Sequence, residues 1–197
     1  MSLTDEQIER YARHVILKEV GGPGQQKLMT AKVLVIGAGG LGSPVLMYLA
    51  AAGVGTLGVI DDDVVELSNL QRQTIHKTSN LGLEKTFSAQ ETLKEINPEV
   101  TVIPHQQRLD AKNAEEIISG YDIIADGCDN FTTRFLVNDI CLRLKKPLIS
   151  GALSQFDGQL ATFKGYEPDK PCYRCLVPDH PSGILSCAEA GILGAVS

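Results

Sequence analysis

Apolar positions along the chain fall into short runs separated by longer segments of mixed polarity. Four short runs predict buried strands at residues 32–36, 56–60, 100–104 and 122–125. The segments that follow them favour helices at residues 41–52, 83–96, 111–119 and 130–145. Strands that alternate with helices indicate an α/β fold, with a doubly wound, mostly parallel, Rossmann-like sheet and helices on both faces.

The end of this pattern predicts a change of strand direction. A fifth strand starts at residues 147–150, and a sixth covers residues 159–164 after the short link Phe156-Asp157-Gly158. A link this short suits antiparallel neighbours, because a parallel pair needs a longer crossover. We therefore expect an antiparallel extension of the sheet near residues 148–164.

The N-terminal region is predicted to be helical. Residues 4–20 carry apolar side chains at helical spacing, and a glycine-rich stretch at 21–24 ends that helix. A short second helix is expected over residues 23–29. These elements predict an N-terminal helical segment over residues 1–30, followed by a Rossmann-like nucleotide-binding adenylation domain over residues 31–197.

Composition and charge argue against several classes of function. The formal net charge of −6 disfavours non-specific nucleic-acid binding, which needs a basic surface. Residues 33–60 carry no charge, but glycines and Pro44 divide them into a strand–helix–strand unit, so we expect no membrane span. The odd number of cysteines, 5, and the absence of an apolar leader favour a reducing, cytoplasmic location.

A glycine-rich turn lies between the first predicted strand and its helix. Glycine lets a backbone approach a phosphate closely, and the helix that follows supplies free N–H groups. Asp61 ends the second strand, where a carboxylate can accept hydrogen bonds from ribose hydroxyls. The turn predicts a nucleotide or dinucleotide site, or alternatively serves only helix–sheet packing. Its glycines are Gly37, Gly39, Gly40 and Gly42.

Cations around the phosphates would favour ATP over NAD. Arg72, Lys85 and Arg13 are candidates, because positive charge at a triphosphate stabilises the leaving pyrophosphate. An alternative interpretation of each of these three cations is a solvated surface residue without a role in binding. Asp129 follows the fourth strand, where a Mg²⁺ ion bound to the phosphates would lie. Asp129 and Asn130 are also both good candidates for the N-cap of the next helix.

Several longer motifs are similar to one known family. The runs GAGGLGSP, DDDVVELSNLQRQTIH, INPEV, DGCDNFTTRF and CYRC resemble the MoeB/ThiF adenylyltransferases, prokaryotic ubiquitin-activating-enzyme-like proteins, from about Tyr11 to the end of the chain. The resemblance implies ATP-dependent adenylylation of the C-terminal Gly-Gly carboxylate of a small ubiquitin-like sulfur-carrier protein. The products would be an acyl-adenylate and pyrophosphate.

The resemblance also implies roles for individual residues. The turn glycines would line the phosphates and Asp61 would hold the ribose. Asn69, Arg72 and Lys85 resemble the residues that contact the phosphates, and Asp129 resembles the Mg²⁺ ligand. Asn130, next to it, is expected to bind the nucleotide cofactor as well. Arg13 resembles an arginine finger that reaches the ATP of a partner subunit, which implies a homodimer.

Three cysteines near the C-terminus resemble positions with known chemistry in that family. Cys172 and Cys175 have zinc-ligand spacing, and two thiolates form half of a tetrahedral Cys₄ site. The family supplies a second pair, whereas the sequence contains no second C-x-x-C, so Zn²⁺ here would have only a half site. Cys187 matches a sulfur-accepting cysteine of some members, or is an inert loop thiol.

Two other functions remain open at this point. An NAD-dependent oxidoreductase would explain the glycine turn, but it leaves the run SNLQRQ and Asp129 without a role. A non-catalytic nucleotide-binding or partner-binding module would bind ATP without turnover in the presence of a carrier protein.

Overall fold

The computed structural model describes residues 3–178 and 193–194. Its six strands form one sheet in the order β3-β2-β1-β4-β5-β6, in which every neighbouring pair is parallel except β5 and β6. The strands are β1 (Lys32–Ile36), β2 (Thr56–Asp61), β3 (Thr101–Gln106), β4 (Ile123–Asp126), β5 (Leu148–Ser154) and β6 (Asp157–Phe163). The mostly parallel Rossmann-like sheet and its antiparallel extension are therefore confirmed.

Eight α-helices lie among the described residues. They are α1 (Asp5–Arg10), α2 (Ala12–Val15), α3 (Gly21–Thr30), α4 (Gly42–Ala51), α5 (Lys85–Ile96), α6 (Ala114–Ser119), α7 (Phe131–Leu144) and α8 (Tyr173–Leu176). Short 3₁₀ turns cover Leu67–Asn69 and Thr78–Asn80. Within this described part of the chain, no helix has the length and apolar character needed to cross a membrane.

Helices cover both faces of the sheet because alternate side chains of each strand point in opposite directions. On β1, Leu34 and Ile36 are buried in one core cluster with residues of α6 and α7. Val33 and Val35 are buried in a second cluster with residues of α4 and α5. The predicted double winding is thus explained by two apolar cores separated by the sheet.

The strand order places the reversal point of the sheet between β1 and β4. β1 pairs with β2 on one side and with β4 on the other. In doubly wound sheets, ligands bind in the crevice beyond the carboxyl ends of the strands at such a point. The glycine turn after β1, Asp61 at the end of β2 and the loop after β4 all lie at this edge.

The N-terminal segment differs from the prediction of one helix over residues 4–20. The helix breaks at Tyr11, whose side chain turns inward and is only 3% exposed. Its hydroxyl accepts a hydrogen bond from Asn97 Nδ2 at 2.8 Å, and its ring packs against Gly53, whose φ is +78°. Burial of this ring requires the chain to turn, so α1 and α2 are separate helices.

The turn between β5 and β6 also lies earlier than expected. Ser154 pairs with Asp157, so the connecting residues are Gln155 and Phe156. Gln155 adopts a positive φ of +50°, which closes the tight turn. Asp157 and Gly158 therefore belong to β6.

Candidate nucleotide-binding site

The glycine turn has the shape that its sequence predicts. Gly37 has a φ of +92°, and a Cβ atom there would lie 3.2 Å from the carbonyl oxygen of Gly127. A Cβ atom on Gly42 would collide with the carbonyl oxygen of Gly37. Only glycine fits at both positions, and the loop after β4 is packed directly against the turn.

Two side chains hold the peptide groups on either side of Ala38. The N–H group of Ala38 donates a hydrogen bond to Asp61 Oδ2 at 2.8 Å. Its carbonyl oxygen lies 2.9 Å from Nε2 of the buried His76. Burial lowers the pKa of His76 below its ordinary value, so the imidazole is neutral at pH 7. The backbone of the turn is therefore fixed before any ligand arrives.

Asp61 makes two backbone contacts in addition to its expected role at a ribose. Oδ1 accepts the N–H group of Asp63 at 2.9 Å, while Oδ2 accepts that of Ala38. Each carboxylate oxygen has a second lone pair, so both can still accept a hydroxyl group. Ribose binding by Asp61 stays a prediction.

Lys85 lies at the start of α5 and faces the end of β2. It is only 5% exposed, and its Nζ atom donates to Asp63 Oδ2 at 2.8 Å. The backbone N–H group of Lys85 also donates to the carbonyl oxygen of Asp63. A solvated surface position is therefore excluded for Lys85, whose ammonium group lies beside the segment that holds the glycine turn.

The polar segment around Arg72 folds over the same turn. Asn69 is buried, and its Oδ1 atom accepts the N–H group of Glu66 at 3.1 Å. Arg72 is half-buried, and its Nη1 atom donates to the carbonyl oxygen of Ser68 at 3.1 Å. The amide of Gln73 lies 3.8 Å from the position of a Cβ atom on Gly39. Gln73 Oε1 is buried and has no hydrogen-bond partner among the described residues.

The loop after β4 is held by a buried ion pair. Arg134 Nη1 lies 3.4 Å from Asp126 Oδ2 and 3.1 Å from the hydroxyl of Ser150. Arg134 Nη2 donates to the carbonyl oxygen of Cys128, and Asp126 Oδ1 accepts the N–H group of Cys128 at 3.0 Å. These contacts fix the backbone that leads to Asp129.

The two candidates for the next N-cap have different positions. Asn130 Oδ1 accepts the N–H group of Thr133 at 2.9 Å, so Asn130 caps α7. Asp129 is exposed, and its carboxylate makes no hydrogen bond or ion pair within residues 3–178 and 193–194. The capping interpretation of Asp129 is thus wrong, because Asn130 occupies that position. Asp129 is left available for a cation, and binding of a cofactor by Asn130 stays a prediction.

Arg13 lies near the amino-terminal ends of the strands, on the side of the sheet opposite to the glycine turn. Its neighbour Tyr11 packs against Gly53 and Asn97, which precede β2 and β3 and so mark the amino ends of the strands. β1 alone separates the two edges by roughly 17 Å, at about 3.3 Å per residue. Arg13 is exposed, and within one chain this location keeps it away from the glycine turn.

The described cysteines divide into a pair, Cys172 and Cys175, and two separate thiols, the half-buried Cys128 and the buried Cys141. Cys172 Sγ and Cys175 Sγ lie 3.6 Å apart at α8, close to the distance of about 3.8 Å between ligands in a tetrahedral zinc site with Zn–S bonds of about 2.3 Å. Burial raises the pKa of Cys141 to about 12 and raises that of Cys128 even further. Both thiols therefore stay protonated at neutral pH and are poor nucleophiles. Cys187 lies outside the described residues.

The sequence alone predicts no role for His76 or Arg134. Arg134 closes the motif D-N-x-x-x-R. A buried arginine needs an acidic partner, and the structure shows that this partner is Asp126. The contact of His76 with Ala38 joins residues 38 positions apart and carries no local sequence signal.

The arrangement is suited to a polyphosphate with a divalent cation. Backbone N–H groups of the turn, the ammonium group of Lys85 and the guanidinium group of Arg72 supply positive potential around one crevice. Asp129 supplies an open carboxylate at the same edge, and Mg²⁺ takes one or two carboxylates together with phosphate oxygens.

Comparison with known proteins identifies relatives along the whole chain. The ThiF family matches residues 11–197. The chain is 49% identical over 203 residues to the sulfur carrier protein adenylyltransferase of Thermus thermophilus, which covers 100% of the chain and 74% of that protein. It is 47% identical over 198 residues to the SAMP-activating enzyme E1 of Haloferax volcanii, covering 100% of the chain and 72% of that protein.

The fold is also similar to solved structures. One is the E. coli tRNA N6-threonylcarbamoyladenosine dehydratase TcdA in complex with AMP, with a TM-score of 0.74 and 28% identity. That match covers 80% of this chain and 64% of the other.

Proposed function

Because the chain belongs to the ThiF family, we propose that it is an adenylyltransferase that activates the C-terminal Gly-Gly carboxylate of a ubiquitin-like sulfur-carrier protein. The names of the relatives from T. thermophilus and H. volcanii support this assignment. The AMP bound in TcdA supports a site for an adenine nucleotide at the same fold.

One structural observation carries the proposal. The fixed glycine turn, the buried Lys85 and the unengaged Asp129 meet at the carboxyl edge of the sheet. A hydride-transfer enzyme does not need cations and an open carboxylate around its phosphates, whereas an enzyme that transfers an adenylyl group needs both.

In the proposed reaction, the groups that react all belong to the two substrates, ATP and the carrier protein. A carboxylate oxygen of the carrier protein attacks the α-phosphorus of ATP, the bond to the bridging oxygen breaks, and pyrophosphate leaves with its electron pair. The attacking carboxylate is already ionised at neutral pH, so no general base is needed. Arg72 and Lys85 stabilise the charge on the phosphates, and catalysis depends on positioning and electrostatics.

Metal ions and a second subunit belong to the same proposal. Asp129 would hold Mg²⁺, which neutralises charge on the phosphates when it is bound. Cys172 and Cys175 would supply two ligands of a structural Zn²⁺ ion. Arg13 would act on the nucleotide of a partner subunit in a homodimer, which its distance from its own glycine turn supports. Cys187 is proposed as a sulfur acceptor.

Exchange of radiolabelled pyrophosphate into ATP tests the function directly. We expect exchange that depends on Mg²⁺ and on a carrier protein with a Gly-Gly terminus, and no exchange with a carrier that lacks its last glycine. ATP binding without exchange would instead indicate a non-catalytic module. Reduction of NAD⁺ by a substrate would indicate an oxidoreductase.

A further inference from the structure

His76 links the glycine turn to the helix that carries Lys85. Its Nε2 atom lies 2.9 Å from the carbonyl oxygen of Ala38, and its Nδ1 atom lies 2.9 Å from the hydroxyl of Ser88 on α5. The side chain is buried, with 6% of the residue exposed. The proposed reaction assigns no chemical step to this residue.

The partners of His76 determine its tautomer. A carbonyl oxygen can only accept a hydrogen bond, so Nε2 carries the proton and donates a hydrogen bond to the carbonyl oxygen of Ala38. Because burial keeps the imidazole neutral, Nδ1 is unprotonated and accepts a hydrogen bond from the hydroxyl group of Ser88. The bond to Ser88 therefore fixes both the ring orientation and the tautomer that the turn requires.

Peptide geometry explains what this contact does for a ligand. In a planar trans peptide, the carbonyl oxygen and the N–H group of the next residue point in opposite directions. The hydrogen bond from His76 to the Ala38 carbonyl therefore turns the N–H group of Gly39 away from His76. Asp61 fixes the preceding peptide in the same way through the N–H group of Ala38.

We propose that His76 is a positioning residue of the nucleotide site, which holds the Gly39 N–H group in the orientation that binds a phosphate oxygen of the nucleotide. The proposal rests on the adenine nucleotide of the proposed function. It assigns to His76 an effect on phosphate binding and none on recognition of the nucleoside.

The test compares ATP with adenosine, which has the nucleoside but no phosphates. His76→Phe keeps an aromatic ring and removes both hydrogen bonds, while His76→Gln keeps an amide donor. We expect His76→Phe to weaken ATP binding by about tenfold or more, the effect of losing one hydrogen bond to a charged group. Adenosine binding should stay unchanged, and His76→Gln should restore part of the loss for ATP.

Two further variants keep the test decisive. His105→Phe is a matched control, because His105 bonds Tyr121 at 2.7 Å and does not contact the turn, so the ratio of the two affinities should match that of the wild type. Ser88→Ala should weaken ATP binding several-fold, and it decides the question if His76→Phe does not fold. Equal losses for ATP and adenosine, or no loss, in the folded variants would overturn the proposal. Failure of the wild-type protein to bind ATP would instead overturn the proposed function.

Discussion

Two aspartates three positions apart, one at the end of β4 and one in the loop that follows, are used in opposite ways. Asp126 is 3% exposed and is paired with the buried Arg134, and its carboxylate also accepts a backbone N–H group. Asp129 is exposed, and no described residue engages its carboxylate. The same residue type thus holds the loop in place at one position and presents free ligand oxygens at the other.

Around the glycine turn, some side chains likewise hold the backbone while another keeps free hydrogen-bond donors. Asp61 and His76 are engaged with the backbone of the turn, which they orient. Arg72 is half-buried beside it and makes one hydrogen bond to a described residue, through Nη1, while its other N–H donors remain for a ligand. His76 thus orients the turn, whereas Arg72 keeps donors for the phosphates, and mutations at these two positions can separate the two kinds of contact.

Asp126→Ala is expected to have the largest effect, and the effect is on stability. It leaves the charge of Arg134 buried without its acidic partner, which costs about 3–5 kcal/mol of the free energy of unfolding. Urea denaturation measures this loss. A double variant that also replaces Arg134 with leucine should be less destabilised than the sum of the two single variants, because it removes both buried charges. A loss below about 1 kcal/mol for Asp126→Ala would contradict the assigned role, since even an ordinary core substitution costs that much.

Asp129→Ala should show the reverse behaviour. We expect pyrophosphate exchange to fall by about 10²–10³-fold, and Arg72→Ala to cause a similar loss, by analogy with removal of one transition-state stabiliser. The free energy of unfolding of Asp129→Ala should change by no more than about 0.5 kcal/mol, as expected for an exposed residue. Glu116→Ala on α6 makes the same change of charge elsewhere on the surface and should leave exchange intact. Near-normal exchange in folded Asp129→Ala would refute the metal-binding role.

The fold was accessible from the sequence because its signals are local. The apolar runs of β1 and β2 and the glycines between them specify a strand, a turn and a helix without information from distant residues. The sequence predicts the link at residues 156–158 because of Gly158, whereas the structure forms a two-residue turn at Gln155 and Phe156. The break at Tyr11 has no local sequence signal, because it depends on Gly53 and Asn97, both more than 40 positions away.

The site was accessible only in part, for the same reason. A glycine turn and an acidic residue after a strand are recognisable as sequence motifs, whereas a contact such as that of His76 with Ala38 exists only after folding. Asp129 and Asn130 were indistinguishable as N-caps, because both side chains cap helices well. Backbone geometry decides between them, since Asn130 has the extended φ and ψ of −132° and 141° that an N-cap requires.

Asn130→Ala should give the smallest effect and sharpens the comparison within this loop. Loss of the bond from Thr133 to Asn130 Oδ1 should lower the free energy of unfolding by about 1 kcal/mol, measured by urea denaturation. Asn130→Asp keeps a capping oxygen and adds negative charge at the helix N-terminus, so its stability should equal or exceed that of the wild type.

Exchange activity then tells whether Asn130 also contacts the nucleotide. If it serves only as a cap, folded Asn130→Ala should retain exchange within a few-fold of the wild type, because Asp126 and Arg134 still hold the loop. If its amide also binds the nucleotide, Asn130→Asp should lose activity despite its intact cap, since a carboxylate repels phosphate. The stable variant is informative because a loss of exchange in Asn130→Asp cannot be attributed to a weakened helix, and comparison with Asn130→Ala, which adds no charge, separates loss of the amide from the added negative charge.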